Sequence, residues 1–528
     1  MKKKIINNIK DKLNREFSLE KPKDLSFGHY ATPIAFSLAK ELKKSPIIIA
    51  EELCLDFQES SIFKEVTALK GYINFKLSES FLDEYATWAI SHEEDFAKDE
   101  NDETILLEFV SANPTGPLHI GHARGAVIGD ALCKIGKHLG YTIDSEYYVN
   151  DAGNQIRLLG LSIYLSGREN LLKLDVNWPE EFYRGDYIQD LARRAAEDFN
   201  LDIFKDEDNI EILADWGREM MLELIRANLA QVGISFDFFV SEKSLYDKWD
   251  DSFRLLQKHD KTYEKDAKVW IKSSEFGDEK DRVVVRDDGR ATYLAGDIIY
   301  HDNKFQRKYD RYINIWGADH HGYIARVKAA INFLGYDESK LEIILAQMVS
   351  LLKGGEPYKM SKRSGNFILM SDVVDDIGKD ALRFVFLSKK ADTHLEFDVD
   401  MLKQHDSTNP IFYINYAHAR INQVFEKSGK KVEDIISVQL EDLSEDAINL
   451  LYTALLLPEV LEDAFASRQV QRLSDYLKML ASNLHKFYNE NRVVGEANED
   501  KFLKIFATVA LSLRVGLRLM GIEAKDKM

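Results

Sequence analysis

Residues 104–125 decide how this chain is read: Thr104-Ile105-Leu106-Leu107-Glu108-Phe109-Val110-Ser111-Ala112-Asn113-Pro114-Thr115-Gly116-Pro117-Leu118-His119-Ile120-Gly121-His122-Ala123-Arg124-Gly125. The first seven are apolar and β-rich, as in a buried strand. The next seven are turn formers, two of them prolines that cannot donate to a ladder. A helix then opens and runs to about Leu139. Gly121, Gly125 and Gly129 recur every four residues, leaving a helix face against which something flat can lie. His119 and His122 are three apart, hence neighbours in the first turn. Unpaired N–H groups and the helix dipole gather there, so two imidazoles make a place for a polyanion such as a nucleotide triphosphate. The other readings are a metal-binding His-x-x-His, for which no Cys or third His stands nearby, and two ordinary surface histidines. The proline-glycine loop between strand and helix favours the phosphate.

Working outward, residues 141–149 read as a second parallel strand, which completes a βαβ unit. Asn150 to Gln155 form a polar loop at its carboxyl end, where open α/β sheets place ligands. Residues 157–280 are mostly helical and charged, an insertion between two halves of a sheet. The second half starts at Arg282–Arg286, with a hairpin signal at Asp287-Asp288-Gly289 and a return over Arg290–Leu294. Tyr293 and Asp297 are four apart and face one ligand if the following helix starts early. Strands are expected at Tyr312–Trp316 and Leu341–Leu345, with Gly317-Ala318-Asp319-His320-His321-Gly322 as the loop between strand and helix. A cationic segment follows, Lys359-Met360-Ser361-Lys362-Arg363-Ser364-Gly365-Asn366. Beyond Ser371 the chain reads as helical, with long helices at Ala447–Phe465, Val470–Asn489 and Phe502–Met520.

At the other end, residues 1–90 read as a small α+β module: a lysine-rich start, helices after Pro33 and Pro46, and a half-buried strand at Gly71–Leu77. Over 528 residues the chain is 45% hydrophobic and 30% charged, enough for two to four domains. A net charge of −19 argues against loose whole-surface binding of nucleic acid and leaves room for a local basic face. Two distant cysteines, Cys54 and Cys133, make no disulfide framework and no Cys-based zinc site. No run is long enough to cross a bilayer and no signal peptide forms at the start, so the cytoplasm is expected.

The tetrapeptide His119-Ile120-Gly121-His122, with Lys359-Met360-Ser361-Lys362, resembles the HIGH and KMSKS motifs of class I aminoacyl-tRNA synthetases. The extended stretch Glu108 to Pro117 resembles the arginyl-tRNA synthetase family in particular. Asp380-Ala381-Leu382-Arg383 and Asn409 to Arg420 resemble its DALR anticodon-binding region. The resemblance implies a Rossmann-type parallel-sheet α/β catalytic domain, an α+β N-terminal domain and an all-α helical-bundle C-terminal domain. It places the domains at 1–95 (touching the tRNA elbow), 96–372 (catalytic, with the insertion at about 157–280) and 373–528 (anticodon-binding).

It further implies a ligase that uses ATP to form arginyl-adenylate and passes arginine to the 3′ end of its tRNA, with activation dependent on tRNA. Catalytic roles fall to His119, His122, Lys359 and Lys362. ATP binding falls to Gly116, Pro117, His119, Gly121, His122, Gly317, Asp319, Met348, Lys359, Met360, Ser361 and Lys362. Arginine binding falls to Glu108, Ser111, Asn113, Tyr293, Asp297 and Asp319, with Glu108 and Asp297 at the guanidinium end. Tyr413, Tyr416, His418 and Arg420 are candidates for tRNA contact, although aromatics there also suit a core. Mg²⁺ is expected with the ATP, without a dedicated protein site, and the default assembly is a monomer. Two alternatives stand beside this: a class I enzyme for another amino acid, and a tRNA-binding relative without catalysis.

Overall fold

The computed structural model describes residues 1–57, 60–358 and 367–528, with the backbone alone at Tyr293. Lys359, Met360, Ser361 and Lys362, and the Tyr293 side chain, therefore lie outside the described residues. At the centre is a five-stranded parallel sheet. Thr104–Glu108 is its middle strand, flanked by Arg311–Gly317 and Thr142–Val149, with Leu341–Ala346 and Phe238–Ser241 at the edges. Ile105, Leu106 and Leu107 are fully buried, as a parallel strand covered on both faces requires. The Ile120–His138 helix makes the crossover to Thr142–Val149. It packs closely because Gly129 and Gly136 lack a Cβ. One there would stand 2.3 Å from the Phe109 ring and from Ile143 respectively. Gly129 thus serves helix–strand packing, not the open glycine face expected of it.

Several elements differ from the sequence reading, among them the short paired strands Thr262–Lys265 and Lys268–Ile271 inside the stretch read as helical. The edge strand Phe238–Ser241 lies inside the largely helical stretch 157–280; four residues are too few to show a period. The return strand expected at Arg290–Leu294 is reduced to a single bridge between Val285 and Ala291, and a helix, Tyr293–Gln306, already begins there. Arg282–Val285 pairs instead with Lys268–Ile271. The turn itself forms, with Gly289 at φ +80°, but it feeds a helix. The helix expected over 447–465 is two, Glu445–Leu455 and Leu457–Ala466, because Pro458 has no N–H to continue the ladder.

The N-terminal part is a three-stranded antiparallel sheet, Tyr30–Thr32, Tyr72–Leu77 and Phe63–Leu69 in spatial order, with helices. It meets the C-terminal helices through buried polar contacts. Tyr452 donates to the His29 carbonyl at 3.0 Å, and Lys504 Nζ reaches Asp83 at 2.6 Å. Arg383 is wholly buried and joins three parts of the chain. It donates to the carbonyls of Met520 and Val232 at 2.7 and 2.9 Å and pairs with Asp130 of the 120–138 helix.

Candidate active site

The carboxyl ends of Thr104–Glu108 and Arg311–Gly317 open onto a cavity of about 1070 Å³. That is roomy enough for a nucleotide and an amino acid together. The chain leaves the first strand abruptly. Val110 and Ser111 take φ of +71° and +44°, and a β-branched residue pays strain to do so. The bend turns Ser111 and Asn113 into the cavity. Ser111 Oγ donates to Glu108 Oε1 at 2.9 Å and accepts from the Tyr148 amide at 3.2 Å. Asn113 Nδ2 donates to Gln155 Oε1 at 2.7 Å.

One end of the cavity is the opening turn of the 120–138 helix. His119 is its N-cap, and its Nδ1 accepts from the Gly121 amide at 3.1 Å. The His119 and His122 rings stack at 3.6 Å. Burial lowers both pKa values, that of His122 to about 3 with His119 adding to the effect. Both are therefore neutral near pH 7 and offer N–H groups, not charges. A Cβ on Gly121 would sit 3.0 Å from the His119 ring, whereas Gly125 has room for one. Phe367 stacks on His119 at 5.2 Å, and residues 368–370 hydrogen-bond across Leu118 and Ile120. Tyr358 and Phe367, the described residues on either side of 359–366, both line this cavity.

The other end is acidic. The helix from Tyr293 presents Asp297, Tyr300, His301 and Lys304 on one face, spaced at i, i+3, i+4 and i+7. Lys304 Nζ, fully buried, donates to Glu108 Oε2 at 2.5 Å and to Asn314 Oδ1 at 2.8 Å. The charge of Glu108 is therefore met from within the protein. Asp297 and Glu242 are different. Burial, with Glu242 and Glu108 beside it, pushes Asp297 up to about 7. Burial likewise raises Glu242, which accepts from the Tyr246 hydroxyl at 3.0 Å. Neither carboxylate has a salt bridge to a cationic side chain among the described residues. A pair of crowded carboxylates of this kind is completed by a planar cation with two-pronged donors.

Of the residues expected to bind arginine, Glu108, Ser111, Asn113, Asp297 and Asp319 all line the cavity. Of those expected to bind ATP, His119, Gly121, His122, Gly317, Asp319 and Met348 line it as well. Gly116 lies against Tyr187 instead, and neither it nor Pro117 is among the lining residues. In the C-terminal helices, His418 is buried and bonds the Lys525 carbonyl. Arg420 is held by Tyr416 and His485, and Tyr413 packs on His485. Tyr413, Tyr416 and Arg420 are half-buried.

Sequence reading missed Glu242, Tyr148, His301 and Lys304. The polar i, i+3, i+4, i+7 stripe after Tyr293 was the available signal for the last two. It also missed Arg124, which is fully buried. Its Nη1 donates to the carbonyls of Gln347 and Thr393 at 3.0 and 2.7 Å, and its Nη2 to that of Lys390 at 2.7 Å. Arg124 thereby fixes the Gln347–Met348 wall of the cavity to the helix that carries His119 and His122.

Three family models match the chain. They are tRNA synthetases class I (R), catalytic domain, over 86–426; the DALR anticodon binding domain over 414–528; and the arginyl tRNA synthetase N-terminal domain over 1–77. An arginine–tRNA ligase from Nitratiruptor sp. is 67% identical over 528 residues, covering 100% of both chains. One from Campylobacter jejuni is 60% identical over 529 residues, again covering 100% of each. The solved arginyl-tRNA synthetase of Thermus thermophilus shares the fold at a TM-score of 0.75 and 21% identity, covering 99% of each chain.

Proposed function

The chain belongs to the class I arginyl-tRNA synthetases, and on that premise we propose how its cavity joins arginine to tRNA. The enzyme is a ligase that charges tRNA with arginine at the expense of ATP. The observation that carries the site assignment is one cavity with a neutral, N–H-rich helix entrance at one end and the uncompensated Asp297–Glu242 pair at the other.

Arginine binds with its guanidinium against Asp297 and Glu242. Glu108 shapes this end from behind, its charge already met by Lys304. Ser111 and Asn113 take the α-amino and carboxylate end, and Asp319 and Tyr293 complete the arginine-binding set. Lysine is disfavoured because a single ammonium cannot satisfy both carboxylates in the geometry a guanidinium can. ATP lies along Gly121, with its phosphates over the first turn and its base towards Gly317 and Met348. The arginine carboxylate attacks the α-phosphorus and pyrophosphate leaves.

Such transfer asks the protein for positioning and charge stabilisation. His119 and His122 donate N–H groups to the phosphate oxygens. Lys359 and Lys362 supply the positive charge that the imidazoles lack. A hydroxyl of the terminal ribose of tRNA then attacks the carbonyl carbon of the adenylate, the arginyl ester forms and AMP leaves. Magnesium arrives with ATP, held by the phosphates.

We further propose that activation requires tRNA, that residues 1–95 meet the tRNA elbow and that 373–528 read the anticodon, with the half-buried Tyr413, Tyr416 and Arg420 more accessible there than the buried His418. A monomer working in the cytoplasm fits these substrates. Among the described residues no helix is long and apolar enough to cross a membrane. ATP–pyrophosphate exchange with each of the twenty amino acids, with and without tRNA, tests this reading. Exchange driven by arginine and tRNA together supports it. Exchange driven by another amino acid refutes the specificity, and exchange equally fast without tRNA refutes the tRNA requirement.

A further inference from the structure

At the carboxyl end of the Thr142–Val149 strand the chain turns sharply around Asn150. The Val149 carbonyl accepts from the Asp151 amide at 2.9 Å and from the Glu242 amide at 3.0 Å. A bond from residue 151 back to 149 closes a γ-turn with Asn150 at its apex. Both flanks of the turn are pinned. Val149 ends the ladder to Ser241, and the buried Asp151 accepts from Ser241 Oγ at 2.7 Å and from the Lys243 amide at 2.9 Å. Asn150 is thereby held beside Glu242, which follows Ser241 in the chain. Tyr148, two residues before Asn150, packs on Tyr300 at 4.2 Å between ring centroids, and Tyr300 is one helical turn from Asp297. Asn150 therefore belongs to the acidic end of the cavity, which it lines together with Tyr148, Glu242 and Asp297.

Among the described residues that line the cavity, two carry a buried side-chain polar atom without a hydrogen-bond partner: His122 Nδ1 and Asn150 Oδ1. The first belongs to the phosphate end. The second stands alone among neighbours that are satisfied, since Asn113 and Gln155 bond to each other and Asp151 is engaged. A buried acceptor left open is costly, and in a binding cavity a donor on the ligand removes that cost. Guanidinium brings such a donor. It presents five N–H groups, of which two carboxylates in fork-to-fork contact take four. We propose that Asn150 Oδ1 accepts the remaining guanidinium N–H and adds to the selection of arginine. This rests on the reading that seats the guanidinium between Asp297 and Glu242. A lysine ammonium has three donors and none to spare for Asn150 once it faces the carboxylates. Lysine therefore leaves this oxygen unpaired, and a site built to complete a hydrogen bond rejects a ligand that cannot.

The test measures arginylation by the full-length enzyme and by Asn150→Leu, Asn150→Ala and Asn150→Asp, together with the inhibition constant of L-lysine competing against arginine. Asn150→Leu removes the acceptor at similar volume. It should raise the KM for arginine roughly ten- to a hundredfold, as the loss of one hydrogen bond to a charged group does. The KM for ATP, kcat and the lysine inhibition constant should stay near the wild-type values. Asn150→Ala should act in the same way, and it carries the comparison if the leucine variant does not fold. Asn150→Asp keeps an acceptor at the same place and should recover most of the arginine affinity. An unchanged KM for arginine in the leucine and alanine variants overturns the role, and so does a loss that weakens arginine and lysine by the same factor. The underlying reading fails separately: a wild type that does not charge tRNA with arginine defeats the charging assignment, and Asp297→Asn with an unchanged KM for arginine defeats the seat of the guanidinium.

Discussion

Raising the pH from 6 to 8 should tighten arginine binding roughly tenfold, and Asp297→Asn should abolish that slope. In the free protein, burial and the neighbouring carboxylates hold Asp297 at about 7. A guanidinium seated against it favours the ionised form, so its pKa falls on binding and arginine prefers the deprotonated protein. Affinity therefore rises with pH until it passes the free-state pKa. About one site in ten is ionised one pH unit below that value and about nine in ten one unit above, which gives the tenfold span. At pH 7 about half a proton should leave per arginine bound. His119 and His122 do not contribute, because burial keeps both below their ordinary range. Titration calorimetry in two buffers of different ionisation enthalpy counts the protons directly. Asp297→Asn should also lose about 2–5 kcal/mol of arginine affinity, the usual cost of removing one partner of a buried charge pair. An affinity flat between pH 6 and 8, with no proton released, would refute the argument that Asp297 waits uncompensated for a cation.

His119→Ala and His122→Ala should each slow adenylate formation about 10²–10³-fold while leaving arginine affinity at the wild-type value; rapid-quench measurement with tRNA present separates the two. Lys304→Met should strand Glu108 without a cation and destabilise the fold by about 3–5 kcal/mol, with Lys304→Met combined with Glu108→Gln recovering part of the loss in denaturant titration. Arg124→Met should raise the KM for ATP by a larger factor than it lowers kcat, since the Gln347–Met348 wall loses its tie to the helix, and Arg124→Lys should restore part of it. Without arginine, Asp297→Asn should raise the melting temperature, and by more at pH 8 than at pH 5. A carboxyl lifted from 3.8 to about 7 weakens the fold progressively as pH rises through that window and fully above it.

Residues with a strong local period announced themselves in the sequence. The strand at Thr104, the glycine-spaced helix after His119 and the strands at Thr142, Arg311 and Leu341 all formed within a residue or two of where their patterns place them. What stayed hidden was set by tertiary contact. Phe238–Ser241 is a strand because Thr142–Val149 offers it an edge, and four residues carry no period of their own. Glu242 has no local signature at all: its role appears only when the fold brings it to Asp297. Lys304 reads as a solvated helix charge until Glu108 and Asn314 close around it. The protonation of the two histidines was equally out of reach, because their neutrality comes from burial under Phe367 and against each other.

The central claim is that one cavity holds the guanidinium at Asp297 and Glu242 and the α-phosphate at His119 and His122. A crystal structure with a non-hydrolysable arginyl-adenylate analogue tests it most directly. The guanidinium should lie within hydrogen-bond distance of both carboxylates, with the phosphate-mimicking group over the opening turn of the helix. An analogue bound in the reverse sense, or outside the space between Glu108, His122 and Gly317, would contradict it.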